Sequence, residues 1–582
     1  MDLLTRRDIL QLSLAAAIPG GLLWSGRSVA AIGGSDPNAV AFRLLDRFVA
    51  GYSAAMNAPG LTLAVASGER TLRTASYGFV ERAARIPVTT DLLFEIGSIT
   101  KSFAALVILQ LSEERKLQLQ APILDYLPWL SMDCPLGEIT VHHLLTHSSG
   151  MPEDAPVFPG SAERRPRQAF KPGSEFHYSN WGFGVIGYLI EALDGKPWPV
   201  SLTERILKPV GMSHTAAAIT SAVRPRIAPS YVPLYDDRTY PRLGPLAPAG
   251  NLTVQTAAGS IASTPGDMAL YMRMILNRGV VPGGRIVSEE SFVLFATPHI
   301  PASEFGPTAS YGYGIAVDKL DGRVRLRHTG GMVSFMSAIH MDLDSKVGAF
   351  ASINAQLGYR PNPVAEYALR LMRAAMDRAP LPAMPPFDES AKVDAAPGYA
   401  GTYVAADGRR LGVEAGADRL SLVFEGRRIP LQQTEEGTFI ADDLAFDRYP
   451  LVFERESRSG EGTQGAAASP PPIVALAYGA DWYASSRVHG ANALSPSPEL
   501  VPYEGTYYSE NPWNGTILVV QRQRRLWIGG TDPLFRVGNH LFRVGLQASS
   551  PELAEFSEFV GGTPRILRFD GGEFQRVDGT SA

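Results

Sequence analysis

Ser98-Ile99-Thr100-Lys101 stands directly ahead of an apolar run over residues 103–111, Phe-Ala-Ala-Leu-Val-Ile-Leu-Gln-Leu. The run reads as a helix and the tetrad as its first turn. Side chains three apart share a helix face, so the spacing can bring the Lys101 amine close to the Ser98 hydroxyl. A serine hydroxyl is a weak nucleophile until a neighbouring base takes its proton. A partly desolvated lysine beside other cations has a lowered pKa and can help remove it. Free backbone N–H groups at a helix start can also receive developing negative charge. Taken alone, the four residues read more simply as a helix start with Ser98 or Thr100 as N-cap.

Two further segments change that reading. Tyr178-Ser179-Asn180 follows Pro172-Gly173 and precedes Trp181-Gly182-Phe183-Gly184, a turn leading into an apolar helix over 185–193. His328-Thr329-Gly330-Gly331 lies between a short alternating stretch, 324–327, and a second β-like run, 336–341. In this order, Ser-x-x-Lys, Tyr-x-Asn and His-Thr-Gly resemble the three motifs of the penicillin-recognising serine hydrolases. That superfamily holds class C β-lactamases, D-Ala-D-Ala carboxypeptidases, D-aminopeptidases and family VIII esterases. The segments 139–150 (Ile-Thr-Val-His-His-Leu-Leu-Thr-His-Ser-Ser-Gly) and 258–264 (Ala-Gly-Ser-Ile-Ala-Ser-Thr) look similar too, and the resemblance runs from about 44 to 376.

The resemblance implies a role for each matched residue. Ser98 would be the acylated nucleophile, with Lys101 and Tyr178 as the pair that removes its proton. A phenol titrates near pH ~10, so Tyr178 would serve only if cations such as Lys101 hold its pKa down. Asn180 would hydrogen-bond Lys101 and the substrate amide. His328, Thr329, Gly330 and Gly331 would form the substrate-binding strand, with the N–H groups of Ser98 and Gly331 as oxyanion hole. His328 stands where class C β-lactamases carry a lysine. A histidine is only partly charged near neutrality, which favours peptide or ester hydrolysis over β-lactam hydrolysis. The resemblance implies no cofactor and no metal. His142, His143 and His147 are not spaced to put three ligands on one helix face. Glu95 reads as shaping the turn before Ser98, Thr264 as a helix cap ahead of Asp267, and Tyr311-Gly312-Tyr313-Gly314 as a packing strand lead-in.

The rest of the chain sets location and plan. Thr5-Arg6-Arg7-Asp8 precedes an apolar stretch over 12–24, followed by the small-residue site Ser28-Val29-Ala30. This reads as a bacterial twin-arginine signal peptide over 1–30, too short in its apolar part to anchor in a membrane. The periplasm or the exterior is the expected location. The single cysteine, Cys134, excludes an intramolecular disulfide. A formal net charge of −5 gives no reason to expect a nucleic-acid partner. Pro380, Pro382, Pro385 and Pro386 mark a linker, beyond which short alternating segments replace helical periodicity. There Tyr399-Ala400-Gly401-Thr402-Tyr403 returns 104 residues later as Tyr503-Glu504-Gly505-Thr506-Tyr507, with Arg419-Leu420 and Arg525-Leu526 following each copy. The repeat suits two small antiparallel barrels or two halves of a larger one. A stretch over 457–472 rich in Ser, Gly, Ala and Pro reads as a long loop.

The expected architecture is α+β. A catalytic domain (31–378) of the β-lactamase/transpeptidase type, an antiparallel sheet flanked by helices, is followed by a linker (379–396) and antiparallel β-barrel modules (397–495 and 496–582). D-aminopeptidases of the superfamily share this plan, with barrels that limit access to the site. The expected substrates are small peptides, amides or esters, with peptides of D- or non-standard residues favoured. A carboxylesterase, a weak β-lactamase, or a penicillin-binding sensor with negligible turnover are the alternatives; oligomeric state is left open.

Overall fold

The computed structural model describes residues 38–158, 165–239, 244–356, 358–387, 392–434, 437–456, 471–487 and 494–577. The twin-arginine segment and most of the stretch over 457–472 lie outside the described residues.

The strand-forming runs of the first part pair into one antiparallel sheet, nine-stranded among the described residues. Its strands are β1 (Gly60–Ser67), β2 (Thr71–Glu81), β3 (Ile86–Pro87), β4 (Ile300–Pro301), β5 (Ser310–Tyr311), β6 (Ala316–Leu320), β7 (Arg323–Met332), β8 (Phe335–Asp342) and β9 (Val347–Ile353). They lie in the order β4-β5-β6-β7-β8-β9-β1-β2-β3. The N-terminal hairpin therefore closes onto the last strand, with Leu63 opposite Ala351. A mostly helical insertion separates β3 from β4 and carries Ser98, Lys101, Tyr178 and Asn180.

Five helices frame this sheet: α1 (Ala39–Ala55), α2 (Thr100–Glu113), α3 (Asn180–Asp194), α4 (Pro265–Leu276) and α5 (Asn362–Met376). Side chains alternate across a strand, yet β1 and β9 are buried at every position, so both faces must be covered. α1 and α5 cover one face, their Phe48 and Tyr367 rings meeting edge-on with centroids 4.8 Å apart. α4 covers the other, and α2 packs beyond it. Every residue of α2 from Thr100 to Leu109 is buried, and Phe103 stacks on Tyr271 of α4. A helix apolar on all sides belongs inside a core, and this one is the centre of the helical lobe.

Two details differ from the sequence reading. His328-Thr329-Gly330-Gly331 lies inside β7 rather than between two strands, its Gly-Gly paired with Ser337 and Met336 of β8. Glycine weakens a strand pattern because it brings no side chain to pack, which hid the continuity. Neither Ser98 nor Thr100 caps α2: Ser98 sits in a 3-10 turn, Gly97–Ile99, that runs into the helix.

The proline-rich segment follows α5 without regular structure; its Phe387 folds back onto Phe48 of α1, and Leu381 and Met384 pack against the same core that α1 and α5 share with the sheet. A Cβ on Gly51 of α1 would lie 2.4 Å from the Phe387 ring, so any larger residue there would have to displace that ring. Two closed antiparallel barrels follow, each eight-stranded among the described residues, and they are separate barrels rather than halves of one. The first runs from the strand Gly401–Ala405 to Asp481–Ser485, the second from Gly505–Tyr508 to Gly572–Arg576. The repeated pentapeptide does the same job in both. Tyr403 Oη donates to Tyr399 O at 2.7 Å and Tyr507 Oη to Tyr503 O at 2.9 Å, tying each barrel's first strand to the turn before it. Buried Arg522 of the second barrel joins the two by donating to Gly479 O (2.7 Å) in the first. The first barrel meets the sheet-and-helix domain where Arg238 Nη1 reaches Asp447 Oδ2 at 2.6 Å. No helix among the described residues is long and apolar enough to cross a membrane.

Candidate active site

Ser98 is set by a close approach of two backbones. Gly97, at φ +51°, turns the chain into α2 beside β7, and a Cβ on Gly97 would lie 2.8 Å from Gly331 N. On the strand side, a Cβ on Gly330 would fall 1.9 Å from Ile96 O and 3.2 Å from Ser98 N. Only glycine fits at both places, and the result sets Ser98 N and Gly331 side by side. The segment ahead of the turn is anchored by pairing of Phe94 and Glu95 with Ser263 and Ala262. Glu95, buried, is held by Arg224 at 3.2 Å, so it shapes the turn and does not face Ser98 as a base.

One turn along α2, the fully buried Lys101 converges on three oxygens. Its Nζ lies 2.9 Å from Ser98 Oγ, 2.7 Å from Asn180 Oδ1 and 2.9 Å from Ala258 O. Ala258 belongs to the supporting segment over 258–264. The Tyr178 ring is beside this cluster, its centroid 4.8 Å from Lys101 Nζ. Tyr178 sits in the extended link before α3, where Ser179 is the N-cap and accepts from Gly182 N. His147 straddles it: His147 O accepts from His177 N (2.8 Å) and His147 Nδ1 from Ser179 N (3.0 Å). The segment over 152–154 is laced to the same link. Ser179 Oγ donates to Pro152 O, Trp181 N to Glu153 O, and Asn180 Nδ2 to Asp154 Oδ2 at 3.2 Å.

The Beta-lactamase family model matches residues 45–374. The chain belongs to that family. Within it, the chain is 27% identical over 303 residues to "Penicillin-binding protein 4" of Amycolatopsis lactamdurans, covering 48% of this chain and 77% of that one. It is 27% identical to "Protein Rv1367c" of Mycobacterium tuberculosis, over 40% of this chain and 66% of that one. Among solved structures, the octameric penicillin-binding protein homologue from Pyrococcus abyssi superposes with TM-score 0.54 at 24% identity. That superposition covers 76% of this chain and 99% of the other, reaching beyond the family match. These relatives place the chain among the penicillin-recognising serine hydrolases.

In this β-lactamase-family site, burial decides the charges. Loss of water pushes the Lys101 amine down to about 7, opposed by the nearby carboxylates of Asp154 and Glu153. The expectation for Tyr178 is reversed. Burial pushes the phenol well above its ordinary value; the Ser98 hydroxyl opposes this, and the carboxyl groups of Glu153, Asp154 and Glu304 add to it. A lysine that itself sheds its proton near neutrality is no fixed cation, so it cannot hold the phenol down. Lys101 is therefore the group that can stand beside Ser98 as an unprotonated base near pH 7.

His328 is buried, and both ring nitrogens are engaged. Nδ1 donates to Thr329 O, and Nε2 accepts from Tyr311 Oη at 2.8 Å. Burial pushes its pKa down to about 3, so the ring is neutral. Thr329 and Gly331, in contrast, are half-buried. The other histidines of interest have structural partners: His142 Nδ1 meets Tyr313 Oη at 2.9 Å, and His143 closes a capping box with Thr140. Thr264 caps α4, as its sequence suggests.

Several site residues escaped the sequence reading. Glu552 and Asp570 of the second barrel reach the segment over 152–154, where Glu552 Oε1 accepts from Glu153 N at 2.7 Å. Burial, with the neighbouring carboxylates, raises Glu153 to about 8, Asp154 to about 6 and Asp570 to about 7. A barrel some four hundred residues along the chain leaves no local signal of this. His147, within a matched segment, was weighed only as a metal ligand, and Asp154, just beyond that segment, was given no role. Tyr311, read as packing, is the hydrogen-bond partner of His328.

Proposed function

We propose that the chain is a metal-free serine hydrolase that cleaves amide bonds of small peptides through an acyl-Ser98 intermediate. The observation that carries this reading is the 2.9 Å approach of a fully buried Lys101 Nζ to Ser98 Oγ, with the lysine's pKa brought to about 7. A base is most effective when its pKa lies near the working pH. Neutral Lys101 takes the proton as Ser98 Oγ attacks the substrate carbonyl carbon. The oxyanion forms beside the N–H groups of Ser98 and Gly331. Removing one donor of such a pair typically costs ~10²–10³ in rate. Tyr178, a neutral phenol, gives its proton to the leaving nitrogen and regains one from the Lys101 ammonium. Water then attacks the ester, giving its proton to the same pair, and Ser98 is restored.

Two features favour peptides over β-lactams. Neutral His328 offers no charge to a substrate carboxylate. Those carboxyl groups around the Tyr178 segment that are ionised near neutrality, Asp154 among them, disfavour an anion further. Peptides with D- or non-standard residues are the substrates we favour, by the shared plan of a catalytic domain followed by two barrels. Carboxylesters are the second class. Export by the twin-arginine route to the periplasm or beyond belongs to the same reading and is motivated by Arg6-Arg7 and Ser28-Val29-Ala30.

The test is a hydrolysis panel of D- and L-aminoacyl amides, short peptides, p-nitrophenyl esters and nitrocefin, on wild type and Ser98→Ala. Amide turnover that vanishes in a folded Ser98→Ala supports the reading. A single burst of acylation without steady turnover would instead support a penicillin-binding sensor.

A further inference from the structure

We propose that Glu552, carried by the second barrel, is a positioning residue of the hydrolytic site and makes that barrel a working part of it. This rests on the serine-hydrolase reading above. The Glu552 carboxylate accepts from Glu153 N at 2.7 Å and from His177 Nε2 at 2.8 Å with the same oxygen. Those two partners lie at the ends of the segments that hold the reacting groups. His177 immediately precedes Tyr178. Glu153 immediately precedes Asp154, which holds Asn180, and Asn180 holds Lys101. One carboxylate therefore clamps the Tyr178 link and the Asp154 segment against each other from outside the catalytic domain.

Two more contacts fix the same barrel edge. Ser549 Oγ donates to Glu175 Oε2 at 2.7 Å, three residues ahead of Tyr178. The turn at Gly571 lies so close that a Cβ there would stand 3.3 Å from Asp154 Cβ and from Ala155 N. The hydrogen bonds of the His177 ring Nε2 and of the Glu153 N–H thus both end on this one barrel carboxylate. The Tyr178 link is extended chain rather than helix or sheet up to Ser179, so its position depends on such side-chain and backbone ties. Displacing a catalytic group by about 1 Å can cost ~10² in rate, which is the scale on which a clamp of this kind acts.

The experiment compares full-length wild type, Glu552→Ala, Glu552→Gln, His177→Ala and Ser98→Ala for kcat, KM, melting temperature and fluorophosphonate labelling at Ser98. Glu552→Ala is expected to lower kcat about 10- to 100-fold, the range usual for residues that orient a catalytic group, with KM within about threefold. Glu552→Gln keeps an oxygen for Glu153 N and His177, and is expected to recover kcat to within about threefold of wild type. His177→Ala is expected to match Glu552→Ala and to add little to it in the double variant, because both cut one clamp. Wild-type kcat in a folded Glu552→Ala, a loss confined to KM, or a Gln variant as slow as Ala overturns the positioning role. If Glu552→Ala does not fold, His177→Ala decides: a loss of about tenfold or more supports the clamp and anything smaller overturns it. Turnover that survives Ser98→Ala is a separate outcome, and defeats the hydrolase reading itself.

Discussion

Replacing Asp154 with asparagine should move the acid limb of the pH–rate profile downwards. Asp154 is linked to Lys101 through Asn180, by hydrogen bonds of 3.2 Å and 2.7 Å. With the amide between them, the carboxylate and the ammonium are at most about 8 Å apart. Unit charges at that distance interact by about 2 kcal/mol at an effective dielectric of ~20. That corresponds to about 1.5 pH units on the lysine, and the partial exposure of Asp154 to solvent reduces it to about 1. The sign follows from the charges. The carboxylate favours the ammonium form, so removing it lowers the Lys101 pKa below its present value of about 7. Activity requires the neutral amine, so the limb shifts to lower pH. Asp154 itself takes up a proton at about 6. The two profiles should therefore differ most between about pH 6 and 8, and the limb is a property of the coupled groups. The assay is kcat/KM on the best amide substrate across pH 5 to 9, each profile normalised to its own plateau. Asparagine retains the shape of the side chain and an oxygen for Asn180 Nδ2. A limb that stays in place, or moves up, refutes the argument that Lys101 is the titrating base.

Lys101→Ala and Tyr178→Phe should each lose most of the rate, and the double variant should lose far less than the product, because the pair serves one proton transfer; losses that multiply would separate the two roles. His328→Lys should raise nitrocefin turnover relative to p-nitrophenyl ester turnover, since it replaces a neutral ring by a cation able to make a charge-assisted hydrogen bond to a carboxylate. An unchanged ratio would show that charge at that position does not limit β-lactam hydrolysis. Gly330→Ala forces a Cβ to within 1.9 Å of Ile96 O, so it should separate β7 from the Ser98 turn. Its kcat should fall by at least ~10², the effect of losing one oxyanion donor, with a lowered melting temperature; a variant with normal rate and stability would mean the strand and turn are not in contact.

What the sequence made legible was local. Ser98 and Lys101 are three apart on a helix start, so spacing brought that pair to one face; that Tyr178, Asn180 and the His328 strand belong with them was legible only through the resemblance of the three ordered motifs. The two barrels were visible because a five-residue tyrosine motif recurs, and each copy closes the same Tyr–Tyr backbone tie. The remainder depended on distance along the chain or on burial. Glu552 meets Glu153 only because the second barrel docks on the catalytic domain, and nothing in either segment encodes its partner. The direction of the Tyr178 shift could not be read either. The motif places a lysine beside it, but burial above all, with three carboxyl groups, raises the phenol. His147 was weighed as a metal ligand and set aside; its work as a brace on both sides of Tyr178 appears only once the link folds over it.

The central claim is that Ser98 carries an acyl group during turnover. Intact-protein and peptide mass spectrometry of wild type, quenched during hydrolysis of the best amide or ester substrate, tests it directly. The predicted result is an adduct with the mass of the substrate's acyl half on the peptide containing Ser98, absent in Ser98→Ala and accumulating when deacylation is slowed by Tyr178→Phe. Full turnover with no adduct at Ser98 under any of these conditions, or an adduct on another residue, contradicts the account.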